Sequence, residues 1–276
     1  MTADALGVEI DRPFRVFFEA IRMSLEWEQI THITKVDPAK PLPSDLGVLD
    51  GTDLVIVGGS DGVTESNTID AIESIASAYP SIPVFQEPYS ADHVSRETIE
   101  TADFVAVPAV FNGDRTHFVG KHTSLFTEIA RKPEELLGAS LPVVGNFIES
   151  KGVDAVSDLT ETLVGEGYVV QHLDSAAASV SGVDTKYTPD QVAGAALATE
   201  TFYGFPIFYV EYSGTYGGTD DVEAAARYLE DTQLVYGGGI DSREKATEIL
   251  DAGADAIVVG DCFHDDPAQF RETIPN

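Results

Sequence analysis

The sequence predicts one α/β domain, a modified (β/α)8 barrel of the TIM type with an N-terminal helical extension. Three observations predict it. Eight short apolar runs of strand length alternate with helix-like segments, the pattern of parallel strands joined by crossover helices. The length of 276 residues matches the roughly 250 residues typical of one such barrel. Finally, three successive strand ends in the last third of the chain dissolve into small residues and glycine. Residues 206–212 run into Ser213-Gly214-Thr215, the next strand into Gly237-Gly238-Gly239-Ile240, and the last into Gly260-Asp261. Glycine lets backbone N–H groups approach anionic oxygens closely, so these turns predict a phosphate cradle. They lie where such barrels usually keep one, after strands seven and eight.

The elements follow in order. Phe14, Phe17, Phe18, Ile21 and Leu25 recur at helical spacing and predict an amphipathic helix over 13–26. It belongs to an extension over 1–30, ahead of a barrel domain over 31–276. Residues 31–36 form the first strand, ended by Asp37-Pro38. Lys35 and Asp37 share one face of it and suit a phosphate and a metal, although by pattern alone a plain ion pair is favoured. Residues 53–59 read as a continuous buried parallel strand. Ser60 follows at its C-terminal end, where barrel enzymes keep working residues, although a lone serine is more often a cap or turn residue. A helix over 64–76 is capped by Thr64 or Ser66.

Strands three and four cover 83–86, closed by Glu87-Pro88, and 103–110, with a helix over 118–131 next. His117 and His122 are five apart, which does not place them on one helix face, so both read as structural or surface residues. Lys121 is one of few cations near a strand end; a solvated lysine is favoured over a diphosphate contact. Residues 133–165 read as an insertion in which 141–146 could be a strand. Strand five covers 167–173, and a helix over 189–202 carries Pro189 in its first turn. Strand six covers 206–212, its helix 220–230 and strand seven 233–236. Ser242 caps a helix over 243–252 whose positive N-terminal end would face a phosphate. Strand eight covers 256–260, and Cys262 reads as a small core residue rather than a nucleophile.

The 47 Asp and Glu against 16 Lys and Arg leave a net charge of −31. That balance argues against nucleic acid or an anionic membrane surface as a partner. A phosphate-bearing ligand then needs a divalent cation or high salt, since at about 1 M salt the Debye length falls to about 3 Å. The acid is spread along the whole chain, with only 7 Lys, which fits an extreme halophile's cytoplasm better than an acidic mesophilic enzyme. The single Cys excludes an internal disulfide and is compatible with a cytoplasmic setting. No apolar run reaches the roughly 18 residues of a transmembrane segment. Glu19 and Arg22 interrupt 14–23, a poor signal-peptide core.

Five stretches, in this order, resemble the geranylgeranylglyceryl phosphate synthase family, in an archaeal, haloarchaeal-like form. They are Lys35-Val36-Asp37-Pro38, Gly58-Gly59-Ser60-Asp61-Gly62-Val63-Thr64, Tyr209-Val210-Glu211-Tyr212-Ser213-Gly214, Tyr236-Gly237-Gly238-Gly239-Ile240 and Val258-Val259-Gly260. The likeness runs from about Trp27 to the C-terminus and leaves 1–26 and 133–165 outside. It implies a TIM-barrel prenyltransferase that joins sn-glycerol 1-phosphate to geranylgeranyl diphosphate, the first ether bond of archaeal membrane lipids. It further implies Mg2+ at Asp37 and Ser60. Lys35, Tyr209, Glu211, Ser213 and Gly214 would contact the glycerol phosphate, with Glu211 orienting or deprotonating its hydroxyl. Gly239 and Gly260 would complete the cradle. Asp261 stands where the family usually has Asn, so a carboxylate would repel the phosphate there unless only its backbone N–H is used. Phe104, Phe111, Phe126 and Tyr187 are candidates for an apolar groove for the prenyl tail. Members are often dimers, so a homodimer is expected.

Two other readings compete. The glycine turns alone suit a sugar-phosphate isomerase or an FMN-dependent oxidoreductase equally well; the set Lys35, Asp37, Ser60 and Glu211 discriminates, because FMN needs no metal carboxylate on strand one. A non-catalytic phospho-ligand binder is disfavoured by Glu211, since a carboxylate beside a phosphate cradle weakens binding unless chemistry uses it.

Overall fold

A computed structural model of the chain describes residues 27–90, 93–114, 116, 120–131 and 160–275. Eight strands pair in chain order, all parallel, and the last closes on the first. They are β1 His32–Val36, β2 Leu54–Val57, β3 Val84–Gln86, β4 Phe104–Val110, β5 Leu163–Val170, β6 Ile207–Glu211, β7 Gln233–Gly237 and β8 Ala256–Val259. The barrel expected from the sequence is therefore the fold. The helix over 13–26, His117 and residues 133–159, including the strand weighed at 141–146, lie outside the described residues.

Helices α1 Glu65–Ala78, α2 Arg96–Thr101, α3 Lys121–Arg131, α4 Ala176–Ser181, α5 Pro189–Ala198, α6 Asp220–Ala226, α7 Arg243–Asp251, α8 Asp261–Asp265 and α9 Pro267–Thr273 surround it. Their starts follow local chemistry. Thr64 caps α1 in a capping box with Asn67, Thr188 caps α5 with Gln191, and Ser242 caps α7. The expected helix over 189–202 changes pitch: α5 ends at Ala198 and a π-helical turn, Thr199–Tyr203, completes it. Helix α6 stops at Ala226 rather than 230. Helices α2, α8 and α9 and the small-residue helix α4 carry too little apolar periodicity to show in the sequence.

Strand β5 begins at Leu163, inside the stretch expected to be an insertion, and ends at Val170. Gly165 and Gly167 hide it. A side chain at 167 would collide with Thr199, which packs against the outer face of β5. Close approach thus demands glycine where strand propensity asks for a β-branched residue.

Alternation along the strands separates two cores. Ile33, Ile56, Phe85, Tyr168, Tyr209 and Val258 fill the barrel interior. Val57, Ile72, Phe208, Tyr236, Ile249 and Phe270 fill the layer between barrel and helices. Strands buried on both faces read as continuous apolar runs. In β6 the inward set is Ile207, Tyr209 and Glu211, so the period of two carries the carboxylate to the mouth of the barrel, directed inside. Phe208, on the outward set, is fully buried. Phe208→Ala should cost about 3–5 kcal/mol, read as a lower denaturation midpoint at unchanged salt.

Candidate active site

A cavity of about 370 Å³ opens at the C-terminal end of the barrel, a size that suits a small ligand. Seven of the residues singled out in the sequence line it together: Lys35, Asp37, Ser60, Glu211, Ser213, Gly260 and Asp261. They come from β1, β2, β6 and β8 or the turns after them, distant in sequence and gathered at one end of the ring. Tyr209, Gly214 and Gly239 are not in its lining. Tyr209 is buried in the barrel interior against Tyr168, ring centroids 4.6 Å apart. Gly214 and Gly239 hold left-handed turns, with φ of 73° and 59°, just beyond β6 and β7. Lys245 of α7 braces the second turn through the Gly239 carbonyl at 3.0 Å and the Asp241 carboxylate at 2.9 Å. The first turn of α7 does not line the cavity.

Glu211 is the chemical centre of the mouth. It is 4 % exposed; Oε1 accepts the Ser213 backbone N–H at 3.2 Å, while Oε2 is buried with no protein hydrogen-bond partner among the described residues. Burial pushes its pKa up to about 7, with the Lys35 charge pulling the other way and Glu87 adding to the rise. Such a carboxylate is balanced between accepting and releasing a proton near neutrality. Beside it, Lys35 Nζ pairs with Glu87 Oε1 at 2.5 Å.

Asp37 and Ser60 sit at neighbouring strand ends with oxygen donors facing one space. Asp37 Oδ1 accepts the Ala39 N–H at 2.9 Å. A Cβ on Gly59 would lie 2.7 Å from that same oxygen, so only glycine lets the β2 turn pass the carboxylate. Among the described residues no group of three or more His, Cys, Asp or Glu forms a metal cage. One carboxylate and one hydroxyl nevertheless fit Mg2+, which usually keeps several waters and completes its octahedron with substrate phosphate oxygens. His264 of α8 steadies this loop: Nε2 accepts the Asp37 N–H at 3.0 Å, and Nδ1 donates to the Pro41 carbonyl at 3.1 Å. Burial pushes the pKa of His264 down, in keeping with this neutral ring.

The concern over Asp261 is eased. Its side chain is 64 % exposed and lies 3.9 Å from Lys40 Nζ, so solvent and a nearby cation offset its charge. Three of the 7 lysines, Lys35, Lys40 and Lys121, line the cavity. In so acidic a chain, that concentrates positive charge at the cavity, which would favour an anionic ligand there.

The other half of the cavity is apolar. Ala106, Pro108 and Val110 of β4 face Ala177 and Val180 of α4 across it. Of the groove candidates, Phe104 is a correction: it faces the closed interior against Phe85, centroids 4.9 Å apart, and is 4 % exposed. Phe111, Phe126 and Tyr187 do not line the cavity either; the Tyr187 hydroxyl is committed to the Phe111 carbonyl at 2.8 Å. Sequence reasoning also missed Glu87, Glu166, Lys40 and His264. Glu87 carries the same signal as Glu211, an acid at the end of a strand, while Glu166 was hidden with the start of β5.

Residues 23–275 match the PcrB family. The chain is 34% identical over 244 residues to the geranylgeranylglyceryl phosphate synthase of Methanocella arvoryzae, covering 87% of this chain and 92% of that protein. A wild-type GGGPS from Thermoplasma volcanium superposes with a TM-score of 0.67 at 21% identity, covering 89% of this chain and 91% of the other. The (S)-3-O-geranylgeranylglyceryl phosphate synthase of Thermoplasma acidophilum, solved with sn-glycerol-1-phosphate, gives 0.63 at 22% identity, covering 89% and 93%. At these identities the two structures attest the fold alone.

Proposed function

The chain belongs to the PcrB family and is a prenyltransferase that makes geranylgeranylglyceryl phosphate, and from that premise we propose how its own residues do so. The acceptor is sn-glycerol 1-phosphate and the donor geranylgeranyl diphosphate. The observation that carries the reading is Glu211, a buried carboxylate with one uncommitted oxygen beside Lys35 at the barrel mouth.

Lys35, Ser213 and the Gly260 turn after β8, which line the cavity, hold the glycerol phosphate, and the left-handed turns at Gly214 and Gly239 shape the backbone beside them. Glu211 Oε2 accepts the hydrogen bond of the acceptor hydroxyl and takes its proton as the new C–O bond forms. Asp37 and Ser60 would hold Mg2+, whose charge offsets that of the departing diphosphate. Lys40 and Lys121 contribute positive charge along the diphosphate's entry. The prenyl tail lies along the apolar wall of β4 and α4, which keeps water from the reacting carbon.

We place the reaction in a cytoplasm of high salt, as the spread acidic charge suggests, and take the chain to act as a homodimer. No helix among the described residues is long and apolar enough to cross a membrane. The division into an extension over 1–30 and a barrel over 31–276 is part of the same proposal.

The test is prenyl transfer by the purified protein in molar KCl with magnesium, sn-glycerol 1-phosphate and labelled geranylgeranyl diphosphate. Ether product is expected with the 1-phosphate, lost with EDTA and absent with sn-glycerol 3-phosphate. Product unaffected by EDTA would remove the metal role of Asp37 and Ser60, and a folded protein inactive with every prenyl donor would remove the reading.

A further inference from the structure

The floor of the cavity holds more carboxylate than the reaction uses. Glu87 and Glu166 lie near Lys35 together with Glu211, so three acids share one ammonium. One oxygen of Glu87, one of Glu211 and both of Glu166 are buried with no protein hydrogen-bond partner among the described residues. All three cannot ionise without stranding uncompensated charge in a low-dielectric site. The burials rank them. Glu166 is fully buried on the inward face of β5, and burial first, then Glu87, holds its proton on. Glu87 makes the direct ion pair, with 12 % of its side chain exposed. Glu211 is left with whatever share of the ammonium Glu87 does not take.

We propose that Glu87 is a positioning residue for the reaction: its ion pair holds the Lys35 ammonium at the barrel mouth and thereby sets the charge that Glu211 carries when the glycerol phosphate arrives. This rests on the reading of Glu211 as the base. An incoming phosphate competes with Glu87 for the same ammonium, so Glu87 also tempers affinity for the acceptor.

The groups around Glu211 are few in kind. Lys35 approaches from β1, Glu87 from the end of β3, and Glu166 and Tyr168 from β5, while Tyr209 precedes it on β6. His172, just past β5, binds the Ser213 carbonyl through Nδ1 at 2.6 Å. Tyr236 lies on β7, and Asp261 follows β8 at the cavity rim. Among the described residues only Glu87 both touches Lys35 and adds like charge to Glu211.

Removing the Glu87 charge takes a repelling neighbour from Glu211 and returns the ammonium to it, so both changes favour the ionised form. In Glu87→Gln the acid limb of the pH profile of kcat/KM for sn-glycerol 1-phosphate should therefore move down by about one pH unit. KM should fall, since Lys35 is no longer contested, and kcat should fall because the base is weaker. Glu87→Asp, with the charge kept on a shorter stem, should lie between wild type and Gln. A mere packing role would rank them the other way, because Gln matches Glu in shape and Asp does not. If the Gln variant does not fold, the Asp limb decides alone. An acid limb at or above the wild-type position in either variant overturns the proposal. Wild-type turnover is measured in the same series, so failure of the whole reading shows as no product from any protein, and failure of this inference as product with an unmoved limb.

Discussion

Glu211→Gln is expected to lower kcat by about 10²–10⁴-fold while leaving sn-glycerol 1-phosphate binding within a few-fold of wild type. Glutamine keeps the shape of the side chain, and its carbonyl oxygen still accepts the Ser213 N–H that Glu211 Oε1 holds at 3.2 Å. It cannot take a proton. Wild-type kcat/KM should rise with pH through about 7, where Glu211 ionises, and the residual activity of the variant should show no such limb. The same shift has a consequence for stability. A carboxyl whose pKa is raised on folding contributes stability that is fully present below its unfolded value and is lost as pH rises through its folded value of about 7. The amide escapes that loss, so the variant should be more stable than wild type above pH 7 and gain nothing near pH 4. Chemical denaturation at both pH values reads this directly. A variant that turns over normally removes Glu211 as the base, and one with no stability gain at high pH means that Glu211 is not held neutral by burial.

What the sequence made legible was whatever depends on one strand and the turn after it. The mouth residues Lys35, Asp37, Ser60, Glu211 and Ser213 all stand at strand ends, and a strand's period of two fixes their direction once the strand is found. What stayed hidden depends on elements meeting across the barrel. Glu87 sits at a strand end like Glu211, yet its meaning comes from Lys35, which the side-by-side pairing of β1, β2 and β3 and the inward curl of the sheet bring to 2.5 Å. Glu166 was lost because glycines at 165 and 167, required by close packing, erased the strand signal around it. His264 lies in a five-residue helix too short to show periodicity, and it reaches Asp37 only because β8 closes on β1. The aromatic groove candidates stand outside the cavity for a related reason. A cavity needs small residues where a ligand lies, and the wall of β4 and α4 supplies them; of the large aromatic candidates, Phe104 fills the barrel interior, Phe111 and Tyr187 pack against the layer between barrel and helices, and Phe126 is exposed.

That last point makes the second large effect predictable. Ala177 lies on α4, half-buried against the interior core and facing the cavity opposite Ala106 of β4. An indole at this position occupies space the tail would otherwise fill. If it displaces about four methylenes, at about 0.8 kcal/mol each, Ala177→Trp loses about 3 kcal/mol with the full-length donor. That is about a hundredfold in kcat/KM. The loss should depend on tail length, because in the proposed arrangement the diphosphate lies on the polar side of the cavity, by Lys35, Asp37 and Ser60, and only the tail runs along β4 and α4. Geranyl diphosphate should therefore lose only a few-fold, and the preference between the two donors should shift toward the shorter one. Binding of sn-glycerol 1-phosphate, on the polar side, should not change. A uniform loss with both donors would mean that the substitution disturbs the mouth or the fold. No loss with geranylgeranyl diphosphate would place the tail along some wall other than β4 and α4.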